Sequence, residues 1–355
     1  MPAVIGQPAL QETIMKKVLL LVVSLLLFFQ QMPYARAAER FYEGQTLRFV
    51  VASSPGGGWD TYTRIVARHI AKHISGNPGT LVENKPGAGG LVGVTYLYHQ
   101  VKPDGLTIGS WQGGLALQQY LGSGGTQFDP TKFEVIGVPV GNTQVCVVNK
   151  STGVTTLDAW MSAKRPIKLT GLAPGSPASD VPRVLSAAIG LPLQLVDGYK
   201  GGAEARLAIE SGEADGMCGV PWEVAKATWQ KLLPNMNVLL QVVAKPHKDL
   251  SSVPLAVNLA KTNEARQLLE VGIQDPAAVS TIFTAPPGTP KQNVAVLRKA
   301  FSDTMKDPDF LAEAQKSRVE IDPVSTDEAT AIIASFAKLP PALLTRLKEA
   351  MVPKN

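Results

Sequence analysis

A strand that breaks at a glycine-rich turn and re-emerges as a helix most constrains what this chain can fold into, and it recurs. Leu47, Phe49, Val50 and Val51 form an apolar run that ends at Pro55-Gly-Gly-Gly-Trp-Asp60, and Ile65 and Val66 follow at helical spacing. That pattern predicts a strand, a turn and a helix that begins near Asp60. The first N–H groups of a helix have no internal partners, the helix dipole is positive there, and glycine lets a ligand reach the backbone. Such a turn is either an ordinary connection or a site for an anion.

The cycle repeats at Leu81-Val-Glu-Asn84, which leads through Pro86-Gly-Ala-Gly-Gly90 into a helical stretch from Leu91 to Tyr98. A third strand-like run, Leu106 to Gly113, ends in Trp111 and Gln112. If these strands are parallel their ends share one edge, where open α/β sheets bind ligands. Val135–Val140 and Val145–Asn149 flank Gly141-Asn-Thr143 and read as a passage to a second lobe. There the cycle resumes with Ile167–Thr170, a loop carrying Ser176 and Ser179, and a helix through Val184, Leu185 and Ile189. Gly198-Tyr-Lys-Gly-Gly202 opens one more helix, and Val238–Val243 is the candidate return crossing. Gly137–Thr143 and Val242–Lys245 are the candidate hinges. Val294, Leu297, Phe301 and Met305 fall on one helical face and read as core.

Several chemistries are excluded. Gly87, Gly89 and Gly93 are spaced G-x-G-x-x-x-G, which is not the dinucleotide fingerprint, and no cofactor is expected. His69 and His73 have zinc-like i, i+4 spacing but no third ligand, so no metal is expected and they read as a solvated helix face. Net charge is +5 with no run of lysines or arginines, which argues against nucleic acid and suits a small anion. Ser53-Ser-Pro-Gly lacks a G-x-S-x-G elbow, so an exported hydrolase ranks below a binding protein, and the chain is not expected to be an enzyme. Cys146 and Cys218 form no CxxC pattern; they either pair or stay as buried thiols.

Residues 1–37 read as a signal peptide region, with Met15 an alternative start. Met15-Lys-Lys precedes an apolar run from Val18 to Phe29, and Ala35-Arg-Ala37 supplies a small-x-small site. A retained membrane anchor is the alternative, but the run is shorter than the roughly 20 residues a span needs. Export to the periplasm is the expectation.

An exported α/β chain with these turns resembles the receptors of tripartite tricarboxylate transporters, also called Bug proteins. The resemblance rests on Ser54-Pro-Gly-Gly-Gly-Trp-Asp60 with Ala67-Arg68, Val82-Glu-Asn-Lys-Pro-Gly-Ala-Gly-Gly90, and Pro103-Asp-Gly-Leu-Thr-Ile108. Gly198-Tyr-Lys-Gly-Gly202, Gly212-Glu-Ala-Asp-Gly216, and Ala285-Pro-Pro-Gly-Thr-Pro290 with Met305-Lys-Asp-Pro308 extend it in order over nearly all of the chain after the leader. It implies a type II periplasmic binding protein fold, two lobes joined by crossing strands. Lobe 1 would comprise 38–139 plus 245–355, and lobe 2 residues 140–244.

It implies further a receptor that captures a small organic anion, a mono- or dicarboxylate with aromatic acids included, for a membrane transporter. A sensory receptor that signals to a membrane partner is the alternative, and a monomer is expected. Carried over by position, Ser54, Gly57, Gly58, Trp59 and Asp60 with Gly87, Ala88, Gly89 and Gly90 would form the first lobe's grip. Trp111, Gln112 and Thr143 would border the cleft, and Ser176, Ser179, Tyr199 and Gly201 would form the second lobe's grip. Asp60 either caps its helix or meets a ligand donor. Trp59 and Trp111 either stack on a ligand ring or pack the lobe. Ser176 and Ser179 either donate to ligand or cap a helix, and Tyr199 is expected to face the cleft.

Overall fold

The structure is a computed structural model that describes residues 41–56, 58–122, 128–172, 175–199 and 201–352. The leader expected at 1–37 lies outside the described residues. The chain runs β1 (Thr46–Val51), α1 (Gly58–Ile70), β2 (Gly79–Asn84), α2 (Leu91–His99), β3 (Thr107–Trp111), α3 (Gly114–Leu121) and β4 (Glu134–Gly137). It then crosses into β5 (Gln144–Asn149), α4 (Leu157–Met161), β6 (Ile167–Thr170), α5 (Pro177–Ile189) and β7 (Leu193–Val196). α6 (Gly202–Glu210), β8 (Gly216–Pro221), α7 (Trp222–Thr228) and β9 (Met236–Val242) complete that half. α8 (Asn263–Leu269), a π-helical turn (Glu270–Gln274), α9 (Asp275–Ala278) and β10 (Ile282–Ala285) lead back. The tail is α10 (Lys291–Thr304), α11 (Pro308–Lys316), α12 (Thr326–Phe336) and α13 (Pro341–Met351).

Two five-stranded sheets result, ordered β2-β1-β3-β10-β4 and β7-β6-β8-β5-β9. β1 lies parallel between β2 and β3, and β6 lies parallel between β7 and β8. The fourth strand of each sheet is reversed: β10 runs antiparallel to β3 and β4, and β5 antiparallel to β8 and β9. Leu47, Phe49, Val50 and Val51 are all buried, as a parallel strand covered on both faces requires.

The tail helices pack on both halves. α10 and α11 pack on α1, and α12 on β4 and α3. α8 and α13 pack on α5 of the second lobe, and α13 also touches α3 of the first. The helices after 245 thus pack against elements of both sheets. One continuous core joins Trp111 and Val138 to Cys146, Leu169 and Val184, and takes in Leu268 and Leu347.

His69 and His73 do not form a free solvated face. Their Nε2 atoms meet separate carboxylates across the α1–α11 seam, Glu313 at 2.6 Å and Asp307 at 2.7 Å. Lys72 joins Asp307 at 2.6 Å. Asp307 also caps α11 through the Asp309 N–H, and the Lys72 hydrogen bond first among these contacts holds its carboxyl well below the usual range.

Cys146 and Cys218 form a buried disulfide, and the residues are partners in the antiparallel β5–β8 register. The bond closes a sequence separation of 72 residues. Chain-entropy reasoning gives about 4 kcal/mol for closing a loop of that length. Replacing both cysteines by alanine should lower the unfolding free energy by up to this amount, and the urea midpoint with it. Urea titration of wild type and variant checks it; equal midpoints would mean the sheet alone fixes the pairing.

Candidate binding cleft

The β1–α1 turn is built around one carboxylate. Asp60 is 3 % exposed. Its Oδ2 accepts from the Gly56 N–H at 2.8 Å and from Arg64 Nε at 2.9 Å, and its Oδ1 from Asn84 Nδ2 at 2.9 Å. Asn84 also donates to the Ser53 carbonyl and accepts from Arg64 Nη2 at 2.9 Å. Burial pushes the Asp60 carboxyl up, but the Arg64, Gly56 and Asn84 hydrogen bonds outweigh it and leave the pKa lowered. Asp60 is thus occupied in holding its own loop to the end of β2. Of the other residues proposed there, Ser54 and Gly58 are exposed, Trp59 is half-buried, and Gly57 lies outside the described residues.

The β2–α2 turn is left-handed throughout. Gly87, Ala88, Gly89 and Gly90 have φ of 132°, 46°, 64° and 102°, a run that only glycine adopts readily. Gly87, Ala88 and Gly89 are exposed, and Gly90 is buried. The Gly90 N–H closes on Gly87 O at 2.9 Å. A side chain at Gly93 would strike Ala52 Cα at 2.7 Å, so this glycine seats α2 against the first turn rather than marking a nucleotide loop.

Trp111 is a correction. Its ring is buried against Phe128 and Phe133, and its Nε1 donates to Thr284 Oγ1 at 2.8 Å. It packs the first lobe, and no face is left for a ligand ring. The neighbouring Gln112 is buried but lines a cavity between the lobes.

In the second lobe, the hydroxyls of Ser179 and Tyr199 are engaged within their own lobe. The Ser179 hydroxyl, fully buried, donates to Asp197 at 2.6 Å and accepts from the Leu172 N–H at 2.9 Å. The Tyr199 hydroxyl donates to Glu213 at 2.7 Å within its own lobe. Ser176 and Gly201 stand at the N-terminal caps of α5 and α6. Thr143 is buried in the first crossing, its N–H facing the Glu223 carboxylate at 3.3 Å and its carbonyl accepting from Trp222 N–H.

Two interlobe pins bring these edges face to face. On one flank Gln118 Nε2 of α3 donates to Asp180 Oδ2 of α5 at 3.1 Å. On the other, Lys226 of α7 reaches Glu320 at 3.2 Å, and Tyr62 of α1 donates to the Glu320 carbonyl at 2.9 Å. Beside this second pin, Trp59, Tyr62, Asn142, Pro221 and Val224 line an open cavity of about 140 Å³. Glu223, His247 and Glu320 are the one group among the described residues with metal-like proximity. Lys226 and Lys248, each 3.2 Å from Glu320, already supply its counter-charge. His247 Nδ1 accepts from the Asp249 N–H at 3.1 Å, which puts the ring proton on Nε2, facing the carboxylates, where a metal would need a lone pair. The cluster is an ion-pair network.

Asp180, Asn84, Gln118 and Gln144 belong to the cleft's framework and escaped the sequence reading. Asp180 had a signal: it is the one charge among Ala178, Val181, Val184 and Leu185, all buried on α5. Burial pushes its carboxyl up to about 7, against the pull of the Gly175 amide, Arg183 and Gln118. The glutamines had none, because a polar residue at a helix or strand end is ordinary.

Two α/β lobes that present strand ends and helix starts to each other across a cleft define a two-lobed solute-binding protein. The chain belongs to the tripartite tricarboxylate transporter family of receptors: the family described as TctC, "Tripartite tricarboxylate transporter family receptor", matches residues 63–348. A relative, the "UPF0065 protein in gbd 5'region" of Cupriavidus necator, is 25% identical over 320 residues, 89% of this chain and 91% of that protein. Among solved structures, the periplasmic binding protein BugD superposes with a TM-score of 0.64 at 23% identity, over 88% of this chain and 100% of its own. MatC of Rhodopseudomonas palustris with bound malate gives 0.63 at 19%, over 86% and 99%. A second R. palustris protein, solved with adipate, gives 0.65 at 20%, over 86% and 98%.

Removing the Asp60 carboxylate as Asp60→Ala leaves the donors of Gly56, Arg64 and Asn84 without it and should cost about 2 kcal/mol at neutral pH. Because the folded pKa is lowered, this stability is fully present above the ordinary carboxylate range and is lost as pH falls through the folded value. Denaturation of wild type and variant at neutral and strongly acidic pH should show the gap narrowing on acidification; a constant gap would refute the assignment.

Proposed function

We propose that this chain is a periplasmic receptor that captures a small organic carboxylate between its lobes and delivers it to a membrane transporter. The observation that carries the reading is that strand ends of the two sheets share cavities: Trp59 after β1 with Pro221 and Val224 at β8, and Gln112 after β3 with Gly175 and Pro177 after β6. Family membership supports the solute-receptor class, and relatives of the same fold solved with malate and adipate support a carboxylate as solute.

The energetics are sufficient without a buried cation. Micromolar binding needs about −8 kcal/mol. Charge-assisted hydrogen bonds contribute about 1.5–3 kcal/mol each and a helix N-terminus up to about 2. The first-turn amides of α1, at Gly58 and Trp59, and the exposed Gly87–Gly89 turn are the first lobe's donors in this reading. The amides at the starts of α5 and α6, beside Ser176 and Gly201, are the second's. Ser179 and Tyr199 contribute by holding those loops. Trp59 and Tyr62 form an aromatic wall, which places aromatic acids among the candidates. Closure turns on the Gly137–Thr143 and Val242–Lys245 crossings, and the receptor acts as a monomer.

A thermal-shift panel of aliphatic, hydroxylated, aminated and aromatic acids on stripped protein tests this. Ligand at a hundredfold its Kd should add about 2.7 kcal/mol, a shift of several degrees. Absence of any shift across the panel would overturn the reading.

A further inference from the structure

Behind the strand-end loops, α3, α5, the π-helical turn and α13 enclose a pocket of about 30 Å³. That exceeds the roughly 10–15 Å³ one water occupies, and suits one small polar group. It adjoins the cleft because Gln112 directly follows β3 and Gly175 lies in the β6–α5 loop, and both line it. Two lobes complete it: Gln118 comes from the first, Asp180 from the second, and Gln144 from the crossing between them.

The lining is built, and it leaves a buried acceptor unpaired. Gln112, Gln118, Gln144 and Asp180 are 8 %, 5 %, 1 % and 7 % exposed. Gln144 Oε1 is buried with no hydrogen-bond partner among the described residues, and native interiors seldom leave an acceptor so. The Asp180 oxygens accept from two neutral donors, the Gly175 N–H at 3.1 Å and Gln118 Nε2 at 3.1 Å. A carboxylate has room for about four such bonds. The nearby cation, Arg183, is committed to Asp197 and to the Ser179 carbonyl. An occupant that donates hydrogen bonds pairs the Gln144 Oε1 and adds a donor to Asp180, whereas a second carboxylate brings the Gln144 Oε1 no donor.

We propose that this pocket is a specificity subsite for the end of the captured molecule, and that it takes a hydroxyl or ammonium head in preference to a second carboxylate. This rests on the carboxylate-receptor reading and narrows it to hydroxy- and amino-carboxylates.

Calorimetric titration at neutral pH with straight-chain acids of three to six carbons, ending in methyl, hydroxyl, ammonium or carboxylate, tests it. At the best chain length a donor-ended acid should bind at least about tenfold tighter than its methyl-ended counterpart. Gln144→Met should collapse that ratio for both heads, and Asp180→Asn should collapse it most for the ammonium head. Circular dichroism melts identify folded variants, and either one suffices to decide. A wild type that binds methyl-ended acids equally well, or prefers dicarboxylates, overturns the subsite and leaves the carboxylate receptor standing. Folded variants that keep the full ratio also overturn it, and binding of no acid at all overturns both readings.

Discussion

Parallel strands cannot be joined by a tight turn; each needs a crossover, and here the crossover is a helix. That constraint places every turn that leaves a strand's carboxyl end on one edge of its sheet, with a helix N-terminus beside it. β1, β2 and β3 do this in the first lobe and β6, β7 and β8 in the second. The reversed strand of each sheet follows a crossing from the other lobe, so Asn142, Thr143 and Gln144 sit where the halves meet. The strand-end edge and the junction between the halves are thus consequences of one connectivity.

The edge is held by groups that are already paired. Asp60 gathers Gly56, Arg64 and Asn84, and in doing so fixes the first turn against the end of β2. Ser179 and Asp197 do the same below the second lobe's loops. A buried charge that lost its partner whenever solute left would penalise the empty receptor, and this arrangement avoids that. Asp180 departs from the pattern: it is buried, and among the described residues its hydrogen-bond donors, the Gly175 N–H and Gln118, are neutral.

Much of the architecture is legible in the residues. Apolar runs that stop at Pro55–Gly58 and Pro86–Gly90, followed by helical periodicity, specify strand, turn and helix because the physics is local. Four successive positive φ values favour glycine, which fills three of the four positions beside Ala88, so the second turn was legible in its glycines. The order of these units along the chain carried the family resemblance, and the family match bears it out.

Side-chain roles were not legible. Trp111 and Tyr199 have the chemistry of cleft residues, yet their polar atoms are taken by Thr284, 173 positions away, and by Glu213. The disulfide was equally undecided until the β5–β8 register set Cys146 opposite Cys218. The sequence by itself determined the elements, their turns and the edge that holds them, since backbone conformation follows from nearby residues. Only the tertiary structure decided which polar groups remain for a ligand, because a hydrogen bond is satisfied by whichever partner folding brings within about 3 Å, and spacing along the chain does not record that partner.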